Sequence, residues 1–391
     1  MGNMPSSATT TPHAAPMIQT IHLKGYRSLS DLRLKLGQVT VLRGPNGVGK
    51  SNVYRALRLL SSLADGSFAR AVAEEGGMPS LLWAGNENVK RTTRLELSVE
   101  TDLFKYELDC GLMPQAPNDP DPYNPNPFKL DPDIKTESLK LGGRVVGKRN
   151  RAQFRVTDSR GKLGEEQPID SPVSMLTLLR DAQNYPGLLH ARNTLAAWRF
   201  YDSIRTDPAA PPRQAVRGYW SPVLAEDASN LPAVVASIAQ SDQATEFREA
   251  LALAFPQARL QVSCERFFEL SFVSEHLPRP LTGAELSDGT LRFICHAAAL
   301  CSPQPPPLLV LNEPESSLNE ALIPALANLI AKAAERSQIV IVTHSTLLSQ
   351  AIAALTKTRQ QALVMVKGET RLEGHELGRR VYIIDDEDEE L

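Results

Sequence analysis

Hydrophobic and polar residues alternate over 17–23 (MIQTIHL), and a period of two predicts a strand there. After a Gly25-Tyr26-Arg27-Ser28 turn, Leu32, Leu34 and Leu36 alternate again and predict a second strand pairing back on the first. Gly37 turns the chain into a third strand. From Ser51 the period changes, and Val53, Leu57 and Leu60 share one face of a helix over 51–63. Residues 64–88 are less regular, with a short helix and a loop around 79–83. Alternation returns at Leu95, Leu97, Val99, Phe104, Tyr106 and Leu108, the pattern of an antiparallel hairpin. Seven prolines between 114 and 132 exclude a helix. Val145, Phe154 and Val156 suggest paired strands around a basic turn, residues 174–204 and 230–254 read as helical, and 260–273 returns to strand. Two short runs, 308–311 (LLVL) and 339–342 (IVIV), are apolar throughout, as parallel strands covered on both faces are. The helical pattern over 320–336 between them completes a βαβ crossover.

The third strand runs into Gly44-Pro45-Asn46-Gly47-Val48-Gly49-Lys50-Ser51, a full match to the phosphate-binding pattern G-x-x-x-x-G-K-[ST] in its strand–loop–helix setting. Glycines let the backbone curl so that its N–H groups face phosphates, and the following helix adds its positive end. In this pattern Lys50 reaches the β and γ phosphates and the Ser51 hydroxyl ligates Mg²⁺. Asn46, Gly47, Gly49 and Asn52 complete the expected binding stretch, and the expected ligands are a nucleoside triphosphate and Mg²⁺.

The 391 residues are enough for two to three domain-sized units. The composition, 42% hydrophobic and 22% charged, is that of an ordinary globular protein. A net charge of −3 argues against a surface basic all over, but not against a local basic patch. That patch is residues 135–162, with Lys135, Lys140, Arg144, Lys148, Arg149, Arg151, Arg155, Arg160 and Lys162 against only Glu137 and Asp158. Its two readings are a phosphate-backbone contact, with Lys148, Arg149 and Arg151 as the DNA-facing residues, and a solvated hairpin face. Cys110, Cys264, Cys295 and Cys301 form no CxxC pair and read as buried, reduced thiols. No apolar run approaches a membrane span, so no membrane association and a cytoplasmic location are expected. The polar start formally fits N-myristoylation (Met1-Gly2 with Ser6), but a disordered tail over 1–16 is the expected reading. The acidic run DDEDEE at 385–390 is expected to be a second disordered tail.

The two apolar strands end in chemistry. The first exits into Asn312-Glu313-Pro314-Glu315 and the second into Thr343-His344-Ser345. Carboxylate and imidazole are therefore expected at the carboxyl edge of a parallel sheet, beside the glycine-rich loop, where magnesium and water chemistry need them.

In this order the elements resemble the ABC-type ATPase heads of the SMC/RecF/OLD group, and more closely its compact standalone heads without a Toprim domain. The resemblance covers about 17–354, with the middle matched least. Gly25-Tyr26-Arg27-Ser28 is similar to the "FRS" turn, which implies that Arg27 reaches the phosphates. Leu286-Ser287-Asp288-Gly289-Thr290 resembles the signature LSGGQ, matching at Ser287 and Gly289. Residues 308–313 resemble the Walker B strand, 316–319 the D-loop, and His344 the switch histidine. The implied fold is α/β, a P-loop head with a mixed central sheet, an antiparallel β subdomain and a helical lobe. Its expected units are 17–110 with 260–384 as a discontinuous ATPase lobe, a β-rich insertion over 111–173 and a helical lobe over 174–259. The implied mechanism sandwiches two ATPs in a homodimer. Ser287 and Gly289 cap the γ-phosphate from the opposite subunit, Glu313 orients or deprotonates the attacking water, and His344 stabilises the developing charge. One departure stands out: Asn312 occupies the position usually held by the aspartate that binds a water on Mg²⁺, which implies weaker metal retention or slow turnover. A glutamine contacting Mg²⁺ is also implied, with Gln153, Gln167 and Gln183 available.

Two functions follow. One is an ATPase whose closure clamps DNA in repair or phage defence. The other is an ATP-gated scaffold that controls a partner effector, with slow hydrolysis and little DNA binding. A transporter subunit fits less well, because the signature is degenerate and the FRS-like turn belongs to the DNA-associated branch.

Overall fold

The strand that feeds the glycine-rich loop, Val39–Arg43, lies inside a six-stranded sheet. Its order is Arg199–Tyr201, Leu308–Asn312, Gln338–Thr343, Val39–Arg43, Thr358–Val366 and Glu369–Leu372. The first five strands run parallel and the last antiparallel. The computed structural model describes residues 16–83, 94–114, 127–178, 180–202 and 204–374. The expectations for the N-terminal tail, its acylation pattern, the acidic tail and much of the proline-rich stretch lie outside the described residues.

The register of this sheet fixes the site. Tyr201 is opposite Leu311, Asn312 opposite Val342, and Thr343 opposite Arg43. The strands therefore end together, and the residues that follow them, Asp202, Glu313, His344 and Gly44, emerge along one edge. Side chains alternate across the sheet as the pleat requires. Leu42, Leu308, Val310, Val340 and Val342 enter a core with the helix Lys50–Asp65, while Val39, Val41, Leu309, Leu311, Ile339 and Ile341 enter a second core with the helices Asp288–Leu300 and Ile323–Ala333. All of these strand residues are buried, so a truncation such as Ile341→Ala should cost about 2–5 kcal/mol.

The second sheet has eight antiparallel strands in the order Leu29–Lys35, Ile18–Tyr26, Arg94–Thr101, Phe104–Leu112, Pro132–Leu141, Arg144–Asn150, Gln153–Val156 and Gln167–Pro168. The β-rich stretch after residue 111 thus continues the N-terminal sheet across its edge. A third sheet pairs Ala258–Cys264 with Phe267–Ser274, joined by Val216–Arg217 and Leu281–Thr282.

The helical reading of 174–204 needs correction. Met175–Leu178 and Pro186–Ala196 are helices, but Arg199–Tyr201 is a strand of the six-stranded sheet. Three residues are too few for a period to register, and the aromatic side chains that bury there suit either state. Nor do residues 174–259 form a lobe of their own. Leu188 and Leu195 pack in the first core, whereas Val234, Ile238 and Phe247, from the helices Leu231–Ala239 and Ala244–Ala254, pack in the second. Cys264 is exposed, contrary to the expectation for the thiols; the other three cysteines are buried. Among the described residues no helix is long and apolar enough to cross a membrane.

Candidate nucleotide site

The glycine-rich loop adopts its shape through positive φ at Gly47 (+83°) and Gly49 (+92°), values that L side chains rarely take. Gly44 has a second reason to be glycine: a Cβ there would stand 2.6 Å from the Leu363 carbonyl oxygen. The helix Lys50–Asp65 starts with no side-chain cap and no acidic residue in its first turn; the Asn52 N–H donates to the Gly49 carbonyl (3.0 Å), which leaves the Lys50 and Ser51 N–H groups for an anion. Asn46, Gly47 and Ser51 are exposed around that start. Lys50 is buried and donates to the carbonyls of Gly44 (2.6 Å) and Pro45 (3.0 Å). Burial pulls its ammonium below the ordinary lysine range, and the Glu313 and Glu315 carboxylates partly oppose this.

A chain of hydrogen bonds holds the loop from behind. Asn52 Nδ2 donates to Ser28 Oγ (2.8 Å), Ser28 Oγ and Thr370 Oγ1 are 2.7 Å apart, and Thr370 Oγ1 donates to the Val48 carbonyl (2.8 Å). The Asn52 amide thus braces the loop from within. The neighbouring Arg27 has φ +44° and is paired with Glu75, on the residue after the helix Phe68–Glu74, which also accepts from Tyr26 Oη (3.3 Å).

Across the edge, Glu313 takes φ +46°, a sparsely populated conformation that re-aims the chain as it leaves the strand; its N–H donates to the Val342 carbonyl (2.7 Å). His344 Nδ1 stands 3.3 Å from Glu313 Oε1 and 3.6 Å from Glu315 Oε1. Glu315 is buried, accepts from Thr343 Oγ1 and from the Ser345 N–H (3.3 Å), and so ties the histidine-bearing turn to the Walker B-like exit. Sequence reasoning missed Glu315. Its signal was its place two residues after Glu313.

Asn312 Nδ2 donates to Asp202 Oδ1 (2.7 Å), while Asn312 Oδ1 is buried with no partner among the described residues. Gln153 and Gln167 lie in the last two strands of the eight-stranded sheet and Gln183 in an exposed turn. Among the described hydrogen bonds none of the three reaches Asn312 or the glycine-rich loop. The residue from the middle of the chain that does reach Asn312 is Asp202.

Ser287 caps the helix Asp288–Leu300, accepting from the Thr290 N–H (3.2 Å), and is exposed. Buried Arg213 organises the turn before it, donating to the carbonyls of Leu286 (2.7 Å), Gly283 and Ala284 (both 3.1 Å) and Thr206 (2.8 Å), and to Asp288 Oδ1 (2.8 Å). Sequence reasoning missed Arg213 as well, since no local pattern marks it. Among the described contacts Ser287 bonds to nothing in its own glycine-rich loop.

The basic hairpin needs a correction. Arg149 is fully buried, paired with the equally buried Glu137 (3.2 Å), and donates to the carbonyls of Arg151 (2.7 Å), Asp170 and Ser171 (both 3.0 Å) and Val173. It cannot touch DNA. Lys148 and Arg151 are exposed.

Among the described residues no group of three or more His, Cys, Asp or Glu could cage a metal. Mg²⁺ at a nucleotide needs no such cage, because phosphates and waters fill most of its shell. Ser51, the orphaned Asn312 oxygen and Asp202 suit that role as oxygen ligands or acceptors for bound water.

Comparison with known proteins agrees with this architecture. The family described as "AAA domain, putative AbiEii toxin, Type IV TA system" matches residues 39–349. No curated protein matches the chain. Among solved structures, an SMC head bound to the C-winged helix domain of ScpA superposes with TM-score 0.54 at 14% identity, covering 91% of this chain and 97% of that one. The Pyrococcus furiosus Smc head with an extended coiled coil, bound to the C-terminal domain of ScpA, gives 0.53 at 13% identity over 91% and 96%. The Pyrococcus yayanosii Smc head with a coiled coil and joint gives 0.53 at 10% over the same shares. At these identities the likeness is one of fold.

Proposed function

The chain belongs to the AAA-domain family matched over residues 39–349, built as an ABC/SMC-type P-loop ATPase head, and on that premise we propose that it hydrolyses ATP slowly between two copies of itself. The observation that carries the reading is the split of the expected site. Gly44, Asp202, Glu313 and His344 follow strands that end together, while exposed Ser287 bonds only within its own helix cap.

In this reading Lys50 leaves the Gly44 and Pro45 carbonyls for the β and γ phosphates, and the Ser51 hydroxyl and Asn312 serve the metal. Mg²⁺, when bound, neutralises phosphate charge. Glu313 orients or deprotonates the attacking water. His344, held by Glu313 and Glu315, donates to the charge that develops on the γ-phosphate. Ser287, Gly289 and the N-terminal end of their helix cap that phosphate from the opposite copy. Closure of the two heads is the mechanical output, in DNA repair or defence with a partner effector. The family's toxin–antitoxin description and the ScpA partner of solved SMC heads support a protein partner. The second reading, an ATP-gated scaffold with little DNA binding, gains from the burial of Arg149, which removes one cation from the basic patch.

The test is a Glu313→Gln variant run on size-exclusion chromatography with ATP and Mg²⁺. A stable dimer that needs nucleotide is expected, and its loss in Glu313→Gln/Ser287→Arg. A species that stays monomeric with ATP bound overturns the sandwich. DNA-stimulated hydrolysis that depends on Lys148 and Arg151 favours the clamp over the scaffold.

A further inference from the structure

We propose that Asp202 supplies the negative charge that the Walker B-like strand lacks, so that a carboxylate and an amide on two adjacent strands, Asp202 and Asn312, together receive the divalent cation of the nucleotide. This rests on the ATP–Mg²⁺ reading above.

The placement follows from the sheet. Arg199–Tyr201 pairs in parallel with Leu308–Asn312, with Tyr201 opposite Leu311, so Asp202 is the next residue out beside Asn312. A carboxylate without a proton only accepts, so the amide that donates to Asp202 Oδ1 at 2.7 Å must present its NH₂ there. Asp202 therefore fixes the orientation of the Asn312 side chain, turning Oδ1 the opposite way. That oxygen is buried and unpartnered among the described residues. A buried acceptor without a donor costs about 1–3 kcal/mol, which a metal or metal-bound water would relieve. Asp202 Oδ2 likewise has no partner among the described residues, and Asp202 is exposed.

Its neighbourhood is the right one. After burial, the Asp202 charge is the next cause that raises the Tyr54 hydroxyl, which lies three residues beyond Ser51 on the helix Lys50–Asp65. The strand that carries Asp202 lies against that helix, for Phe200 packs edge to face on Tyr54 with ring centroids 5.7 Å apart. Beyond Asp202 the chain is held by Arg292, which donates to the Ile204 carbonyl (3.1 Å) and to the Ser316 carbonyl (3.0 Å). Asp202 thus brings one negative charge to the strand end where Asn312 brings none. One carboxylate beside phosphates and waters is what Mg²⁺ commonly takes from a protein.

The experiment uses Mn²⁺ as the probe, counted by its electron paramagnetic resonance signal in the full-length Glu313→Gln protein with ATP. Asp202→Asn keeps the shape and the hydrogen bond, and is expected to weaken Mn²⁺ in the ternary complex by about tenfold or more while metal-free ATP affinity holds. The exchange Asp202→Asn/Asn312→Asp is expected to restore it. Asn312→Asp alone puts two carboxylates side by side, so its melting temperature should fall without metal and recover with Mn²⁺. Unchanged Mn²⁺ affinity in Asp202→Asn, or a metal-independent melting temperature in Asn312→Asp, overturns the inference and leaves the ATPase reading standing. A Glu313→Gln protein that binds neither ATP nor Mn²⁺ overturns both.

Discussion

Gly289 and Ser317 approach so closely that a Cβ on the glycine would stand 2.8 Å from the Ser317 carbonyl oxygen. Ser317 is itself at φ +62°, and Arg292, on the same helix as Gly289, holds the neighbouring Ser316 carbonyl. The signature-like helix and the D-loop-like turn are thus fitted to each other inside one chain. Gly289→Ala has no flexible side chain to push aside, so backbone must shift, at a cost of about 1–3 kcal/mol. Because the glycine-rich loop lies elsewhere, nucleotide titration should give near-normal affinity while phosphate release falls. Equal loss of both would place Gly289 in the nucleotide's own half-site.

Arg27 offers a second test. Its pairing with Glu75, shared at 3.7 Å by Arg55, has to break before the guanidinium reaches a phosphate. Glu75→Gln weakens that hold, and ATP should bind a few-fold tighter, the equivalent of about 1 kcal/mol. Arg27→Ala should bind more weakly, and the double variant should show no gain. If fluorescent-nucleotide titrations find Glu75→Gln unchanged, Arg27 is a structural partner of Glu75 only.

Arg149→Ala should be the most damaging change in the basic hairpin, for reasons unrelated to nucleic acid. It strands the buried Glu137, which also accepts from Tyr106 Oη (2.6 Å), Ser174 Oγ (2.6 Å) and the Met175 N–H (3.0 Å). Breaking a buried pair on one side costs about 3–5 kcal/mol, visible as a shift in the denaturant midpoint. Arg151→Ala and Lys148→Ala should leave that midpoint in place.

These residues also show what the sequence could reveal. The glycine-rich loop, the two apolar strands and His344 were legible because each is a local pattern, and the parallel register then carried Glu313 and His344 to one edge. Arg149 was not. A charge run reports composition, whereas burial depends on the residue across the strand, here Glu137 directly opposite. That glutamate, one of only two acids in the run, was the available signal. Asp202 was hidden by a three-residue strand within a helix-like stretch, and Arg213 by reaching carbonyls some seventy residues away.

His296 gives the pH dependence. It sits in the helix Asp288–Leu300, 1% exposed, with Nδ1 unpartnered among the described residues. Burial, helped by the Arg292 charge, pushes its imidazole from the ordinary 6.5 down to about 3. Between these values the unfolded chain takes up a proton that the folded chain refuses. The His296 contribution to stability is therefore present above pH 6.5 and is lost as the pH drops toward 3, by up to about 1.4 kcal/mol per unit. His296→Leu removes the group and fills its apolar site. Its melting temperature should decline less than the parent's between pH 6.5 and 4.5, and the two should differ least above pH 7. Parallel curves across that window would mean that His296 is protonated in the fold with a partner to receive its proton.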